Sequence, residues 1–150
     1  MPRVIFLVGL SGSEKTRKGK KMQKEEGYVW VDSIEHQSPD GERKNYQTLI
    51  DHLRGGSNCV AEELQTLDLS YRTHIEAELR KEVQGVEIEF WFFEKDLVKA
   101  TRNVLSRPDD KKKIKEHLLV NCHCCYRYVL PTDPATVILQ IEEPTEYVDP

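Results

Sequence analysis

Residues Val4-Ile5-Phe6-Leu7-Val8 form an unbroken apolar run that passes directly into Gly9-Leu10-Ser11-Gly12-Ser13-Glu14-Lys15-Thr16. A continuous run rich in β-branched and aromatic side chains fits a strand buried on both faces, as in the middle of a parallel sheet. The residues that follow, Lys15 to Glu26, are mostly good helix formers, and Gly27 stands where a helix stops. Strand, glycine-bearing loop and helix in immediate succession leave few folds open.

The rest of the chain repeats the alternation. Short apolar runs at Tyr28–Val31, Asn58–Leu64, Val86–Phe93 and Ala135–Ile141 read as further strands. Helical patterns lie between them. Tyr71–Val83 places Ile75, Leu79 and Val83 on one stripe, Asp96–Leu105 stops before Pro108, and Asp109 to about Tyr128 carries Ile114, Leu118 and Cys122 on one face. Strands separated by helices require crossover connections. The expected fold is therefore α/β, with a mostly parallel five-stranded sheet flanked by helices in three layers. The length of 150 residues suits a single domain.

The loop after the first strand has the order of a phosphate-binding P-loop, or Walker A motif, G-x-x-x-x-G-K-[ST]. In such a loop backbone N–H groups curl around phosphates, the lysine reaches the outer ones and the hydroxyl binds Mg²⁺. Gly9, Lys15 and Thr16 fall at the required positions, and Ser11, Gly12 and Ser13 complete the cradle. Glu14 stands where the pattern has its second glycine. A side chain there crowds the approach of backbone to phosphate. Its carboxylate also faces a polyanion, a repulsion of about 4 kcal/mol at ~4 Å and an effective dielectric near 20. Near a helix N-terminus the same carboxylate favours the empty loop. Weakened nucleotide affinity is the expected consequence.

The net charge of −4 means that any anion site must be a local cluster. No run approaches the ~20 apolar residues needed to span a bilayer. The N-terminal run is too short for a secretory leader. Cys59, Cys122, Cys124 and Cys125 then read as reduced thiols, and a cytoplasmic location is expected. The first helix, KTRKGKKMQKEE, has six basic residues and only Met22 as a sizeable apolar group. Either its lysine stems cover apolar surface or the helix is loosely held.

The strand, GLSGSEKT, helix, GYVWVDS and KDLVKATRNVLSRP together resemble the small P-loop kinases related to polynucleotide 5′-hydroxyl kinase and the zeta-toxin-like and adenylate-kinase-like enzymes. The resemblance spans roughly residues 3 to 141. It implies strand order 2-3-1-4-5, an arginine-bearing lid around residues 96–112, and ATP and Mg²⁺ as cofactors. It implies that Lys15 holds phosphate, Thr16 holds the metal, and Asp32 accepts the proton of the attacking hydroxyl. Arg102 and Arg107 match lid arginines that stabilise the transferred group. Read alone, Asp32 is equally a cap or turn residue, and the two arginines, five apart, are equally surface charge. Glu62 and Glu63 end the third strand, where related enzymes hold an acidic residue associated with Mg²⁺, but AEEL reads rather better as a solvated turn.

The implied activity is transfer of a phosphoryl group from ATP to a hydroxyl of a nucleic-acid 5′ end, a nucleoside or a small metabolite. A nucleotide- or phosphate-binding module with weak or no catalysis is the second expectation, and an interaction protein that keeps only the fold is the third. Cys122-His123-Cys124-Cys125 is one cluster without a second pair, which favours helix packing over zinc or a redox dithiol. The histidines at 36, 52, 74, 117 and 123 show no ligand spacing.

Overall fold

The computed structural model describes residues 1–32, 34 and 44–143; His36 lies outside them. Its elements run β1 (Arg3–Val8), α1 (Lys15–Glu26), β2 (Val29–Asp32), α2 (Lys44–Arg54), β3 (Cys59–Glu62), α3 (Leu69–Glu82), β4 (Glu87–Phe93), α4 (Leu97–Leu105), α5 (Lys111–Cys124) and β5 (Ile138–Leu139). Short 3₁₀ turns at Leu64–Leu67 and Cys125–Arg127 follow β3 and α5. The five strands form one sheet in the order β2-β3-β1-β4-β5, every pair parallel.

The apolar run of β1 is explained by its place. It lies between β3 and β4, and Val4 through Val8 have no exposed surface. Each fully buried side chain of this size contributes about 1.5–3 kcal/mol. Phe6 stacks on Phe90 of β4 with ring centroids 5.1 Å apart.

The poor apolar content of α1 is resolved at the interface. Gly19 is buried, and a Cβ there would stand 2.5 Å from Trp30 Cδ1, so the helix can lie on the indole only because the side chain is missing. The ammonium of Lys20 sits 5.6 Å from the Trp30 ring and that of Lys18 5.9 Å from the Trp91 ring. Lysines cover aromatic surface here and keep their charged ends near the ring faces.

Four elements differ from the sequence reading. Helix α2 is present although no helix was expected there; it buries Tyr46, Leu49, Ile50 and Leu53. β3 is cut to four residues because Glu63 caps the 3₁₀ turn, its side chain accepting from Gln65 N. β5 is cut to two residues, paired with Phe92 and Phe93. α5 turns a different face inward: Asn121 is buried, Cys124 and Cys125 pack on the core, and Cys122 is exposed.

In a parallel sheet all strands end on one edge. Sheet order reverses at β1, which has β3 on one side and β4 on the other, and the crevice at such a switch point is where ligands bind. β1 ends there in the Gly9 loop, β2 in Asp32 and β3 in Glu62; Asp32 and Glu62 are register partners.

Candidate active site

The loop from Gly9 to Glu14 is shaped by residues remote in sequence. Asn121 of α5 clasps Ser11: its Oδ1 accepts from Ser11 N and its Nδ2 donates to Ser11 O, both at 2.8 Å. Asn103 of α4 donates to Gly12 O at 2.8 Å. Ser11 Oγ and His117 Nδ1 are 2.6 Å apart. Gly12 has φ +90°, and a Cβ there would fall 2.1 Å from Ala100 O, so only glycine fits. Ser13 N closes the turn on Leu10 O at 3.1 Å, and Ser13 Oγ is buried without a hydrogen-bond partner.

Glu14 has φ 67° and ψ 38°, left-handed backbone, and among the described residues no other non-glycine residue has positive φ. The chain thus holds the glycine conformation with a glutamate. The side chain is 8% exposed, makes no helix-capping hydrogen bond and pairs with Arg17 Nε at 3.6 Å. The first rung of α1 is Lys18 N to Glu14 O, so earlier amides of the helix lack intrahelical acceptors. Those amides and the helix dipole favour an anion at this end.

Lys15 bends back over the loop and donates to Gly9 O and Leu10 O, each at 2.9 Å. Burial lowers its pKa against the raising influence of Glu62. Thr16 Oγ1 donates to Glu62 Oε1 at 3.4 Å, and Trp30 Nε1 donates to Glu62 Oε2 at 2.7 Å. Burial raises the Glu62 pKa. Asp32 is close enough to act on the charge of both Lys15 and Glu62.

A cavity of about 200 Å³ brings Lys15, Thr16, Asp32, Glu62, Arg107 and His117 to one space beside Gly12 and Glu14. Of the residues selected from sequence, Gly9 and Ser13 do not line this cavity, and Arg102 points elsewhere. It is largely exposed and pairs with Glu143 at 3.0 Å, because α4 carries it away from the turn that holds Arg107. Glu62 is not in a solvated turn: it is 6% exposed and hydrogen-bonded to two site neighbours. His117 and Asn121 were not foreseen. Their i, i+4 spacing on α5 is visible in sequence, but nothing there says that the face meets the loop. Burial lowers the His117 pKa, helped by Arg107.

Three solved structures share this arrangement of strands and helices. A gluconokinase from Sinorhizobium meliloti aligns with TM-score 0.60 at 18% identity, over 95% of this chain and 85% of its own. A fungal RNA kinase aligns with TM-score 0.63 at 13% identity, over 99% and 80%. The chain has the small P-loop kinase fold. A sugar kinase from Janibacter sp. aligns with TM-score 0.59 at 14% identity, over 96% and 88%. No family model and no curated protein matches the sequence. No described helix is long and apolar enough to cross a membrane.

A fit to nucleotide and metal can be read from the donors. The amides at the start of α1, which lack intrahelical acceptors, suit phosphate oxygens. Thr16 Oγ1 and Glu62 supply hard oxygen donors, and no group of three or more His, Cys, Asp or Glu side chains gathers as a metal site among the described residues.

Proposed function

We propose that this single domain of 150 residues is an ATP- and Mg²⁺-dependent phosphotransferase acting on a hydroxyl acceptor. The observation that carries the proposal is Lys15 and Asp32 on the walls of one cavity, with the Thr16–Glu62 pair between the loop and β3. In the reaction Lys15 leaves the Gly9 and Leu10 carbonyls to hold the outer phosphates. Asp32 orients the acceptor hydroxyl and takes its proton as the oxygen bonds to the γ-phosphorus and the bridge to ADP breaks. Arg107 lines the same cavity, where it can offset charge on the transferred group. Arg102 would join it only by exchanging Glu143 for the cavity, a movement of the 96–112 segment as a lid. Mg²⁺ held by Thr16, with Glu62 behind it, would neutralise charge on the phosphates.

A second reading, a nucleotide-binding protein with little turnover, draws on Glu14, which lines the same cavity while its carboxylate pairs with Arg17. Transfer of label from γ-labelled ATP tests both. Turnover that Lys15→Ala abolishes supports the phosphotransferase. ATP binding without hydrolysis or transfer supports the binding protein. No ATP binding at all refutes both.

A further inference from the structure

The cleft has two parts that differ in their balance of charge. At the loop end the charges are matched: Lys15, Arg107 and Lys113 stand with Glu14, Asp32 and Glu62, and His117 lies beside them. The other end opens into a hollow of about 350 Å³ that shares Ser11, Lys15, Asp32, Glu62 and His117 with the first and adds Glu63, Leu64, Glu116 and Val120. Its size is at the lower end for small-molecule pockets. Asp32 comes from the end of β2, Glu62 and Glu63 from the end of β3, and Glu116 from α5, so carboxylates enter from three elements. Among the described residues no arginine lines this hollow, and Lys15 is its one lysine. That ammonium is turned to Gly9 O and Leu10 O. Leu64 and Val120 supply a small apolar wall.

We infer that the acceptor is a small hydroxyl compound bearing a positive charge, of the amino-sugar or amino-alcohol class, and that anionic acceptors are excluded. The inference rests on the phosphotransfer reading and narrows its substrate. A cation beside Glu63 and Glu116 gains from charges that a sugar acid, a sugar phosphate or a nucleic-acid 5′ end would meet as repulsion. Asp32 then receives a proton from the hydroxyl while the substrate's ammonium stands off toward Glu63 and Glu116. Discrimination against anions comes from placed repulsion rather than from a shape that rejects them.

Glucosamine, glucose and gluconate are matched probes, similar in size and different in charge. Calorimetric titration of each into the whole chain, with Mg²⁺ and a non-hydrolysable ATP analogue, reads the preference directly. Glucosamine should bind more tightly than glucose, and gluconate should not bind. Glu63→Gln and Glu116→Gln should each reduce the glucosamine-to-glucose preference about fivefold, the effect of one unit charge at ~4 Å in a water-like dielectric. Raised salt should shrink the same preference in the unmutated chain, an arm that needs no variant to fold. Gluconate or a 5′-hydroxyl oligonucleotide binding as well as glucosamine overturns the inference, as does failure of glucosamine to bind. Label transfer is scored separately: glucosamine bound but never phosphorylated sinks the phosphotransfer reading and leaves the charge preference standing.

Discussion

Replacement of Glu14 by glycine separates what this residue does to the fold from what it does to the ligand. A non-glycine residue in left-handed backbone costs about 1–2 kcal/mol, and Glu14 is held there at φ 67°. Glycine takes back roughly 0.5–1 kcal/mol through the freedom it adds to the unfolded chain. Loss of the 3.6 Å pair with Arg17, three-quarters buried, removes about 0.5 kcal/mol more. The three nearly cancel, so thermal stability should change by no more than about 1 kcal/mol. Binding should not cancel. A carboxylate roughly 6 Å from one phosphate charge opposes it by about 0.7–3 kcal/mol as the effective dielectric falls from 80 to 20. Arg17 offsets part of this. The expected gain for Glu14→Gly is about tenfold in ATP affinity, 1.4 kcal/mol. Calorimetric titration of Mg-ATP into the native chain, Glu14→Gln and Glu14→Gly measures it. Gln keeps the strained backbone and the bulk but removes the charge. A Gln variant that behaves as Gly assigns the penalty to charge, and one that behaves as Glu assigns it to the crowded backbone. Equal affinity in all three would refute both accounts.

Two further perturbations probe the scaffold under the loop. Gly12→Ala should lower stability by about 2–3 kcal/mol, since its Cβ would stand 2.1 Å from Ala100 O on backbone at φ +90°; an unchanged denaturation midpoint would mean that α4 does not pack there. Acidification should act through His117. The unfolded chain takes its proton near pH 6.5, while burial beside Arg107 holds the folded value lower. Stability from this group is therefore complete above pH 6.5 and lost as pH falls through the folded pKa. Chemical denaturation across this range should show the loss, and His117→Asn should flatten it; an identical pH slope in the variant would place the titration elsewhere.

The parts legible in sequence were those fixed by local pattern. β1, the Gly9 loop and α1 are contiguous, and each carries its own signal in periodicity or glycine placement. α2 carried one as well, with apolar residues at 46, 49, 50 and 53, the spacing of one helical face. Glu62 was harder, since β3 has four residues and no readable period. Its burial is decided by Trp30 and Thr16, two elements that only the sheet brings together. The inward face of α5 misled for a related reason. His117 and Asn121 look like a solvated stripe, and hydrophobic spacing gave the inward role to Ile114, Leu118 and Cys122. What the stripe meets is the backbone and hydroxyl of Ser11 rather than apolar side chains, and such a polar contact leaves no mark in hydrophobic spacing.

This also bears on how a damaged motif keeps its shape. Left-handed backbone at a glutamate persists only where the surroundings over-determine it. Here Asn121 holds both sides of the Ser11 peptide, Asn103 holds Gly12 O, and Lys15 holds Gly9 O and Leu10 O. Each removal of a buried partner would strand a polar group at about 1–3 kcal/mol, comparable to or above the strain at Glu14. The loop geometry is thus carried by α4, α5 and the lysine more than by the glycine pattern. Substitution at position 14 leaves the hollow formed and alters its charge, so whether this P-loop binds a nucleotide turns on electrostatics at Glu14 rather than on the fold around it.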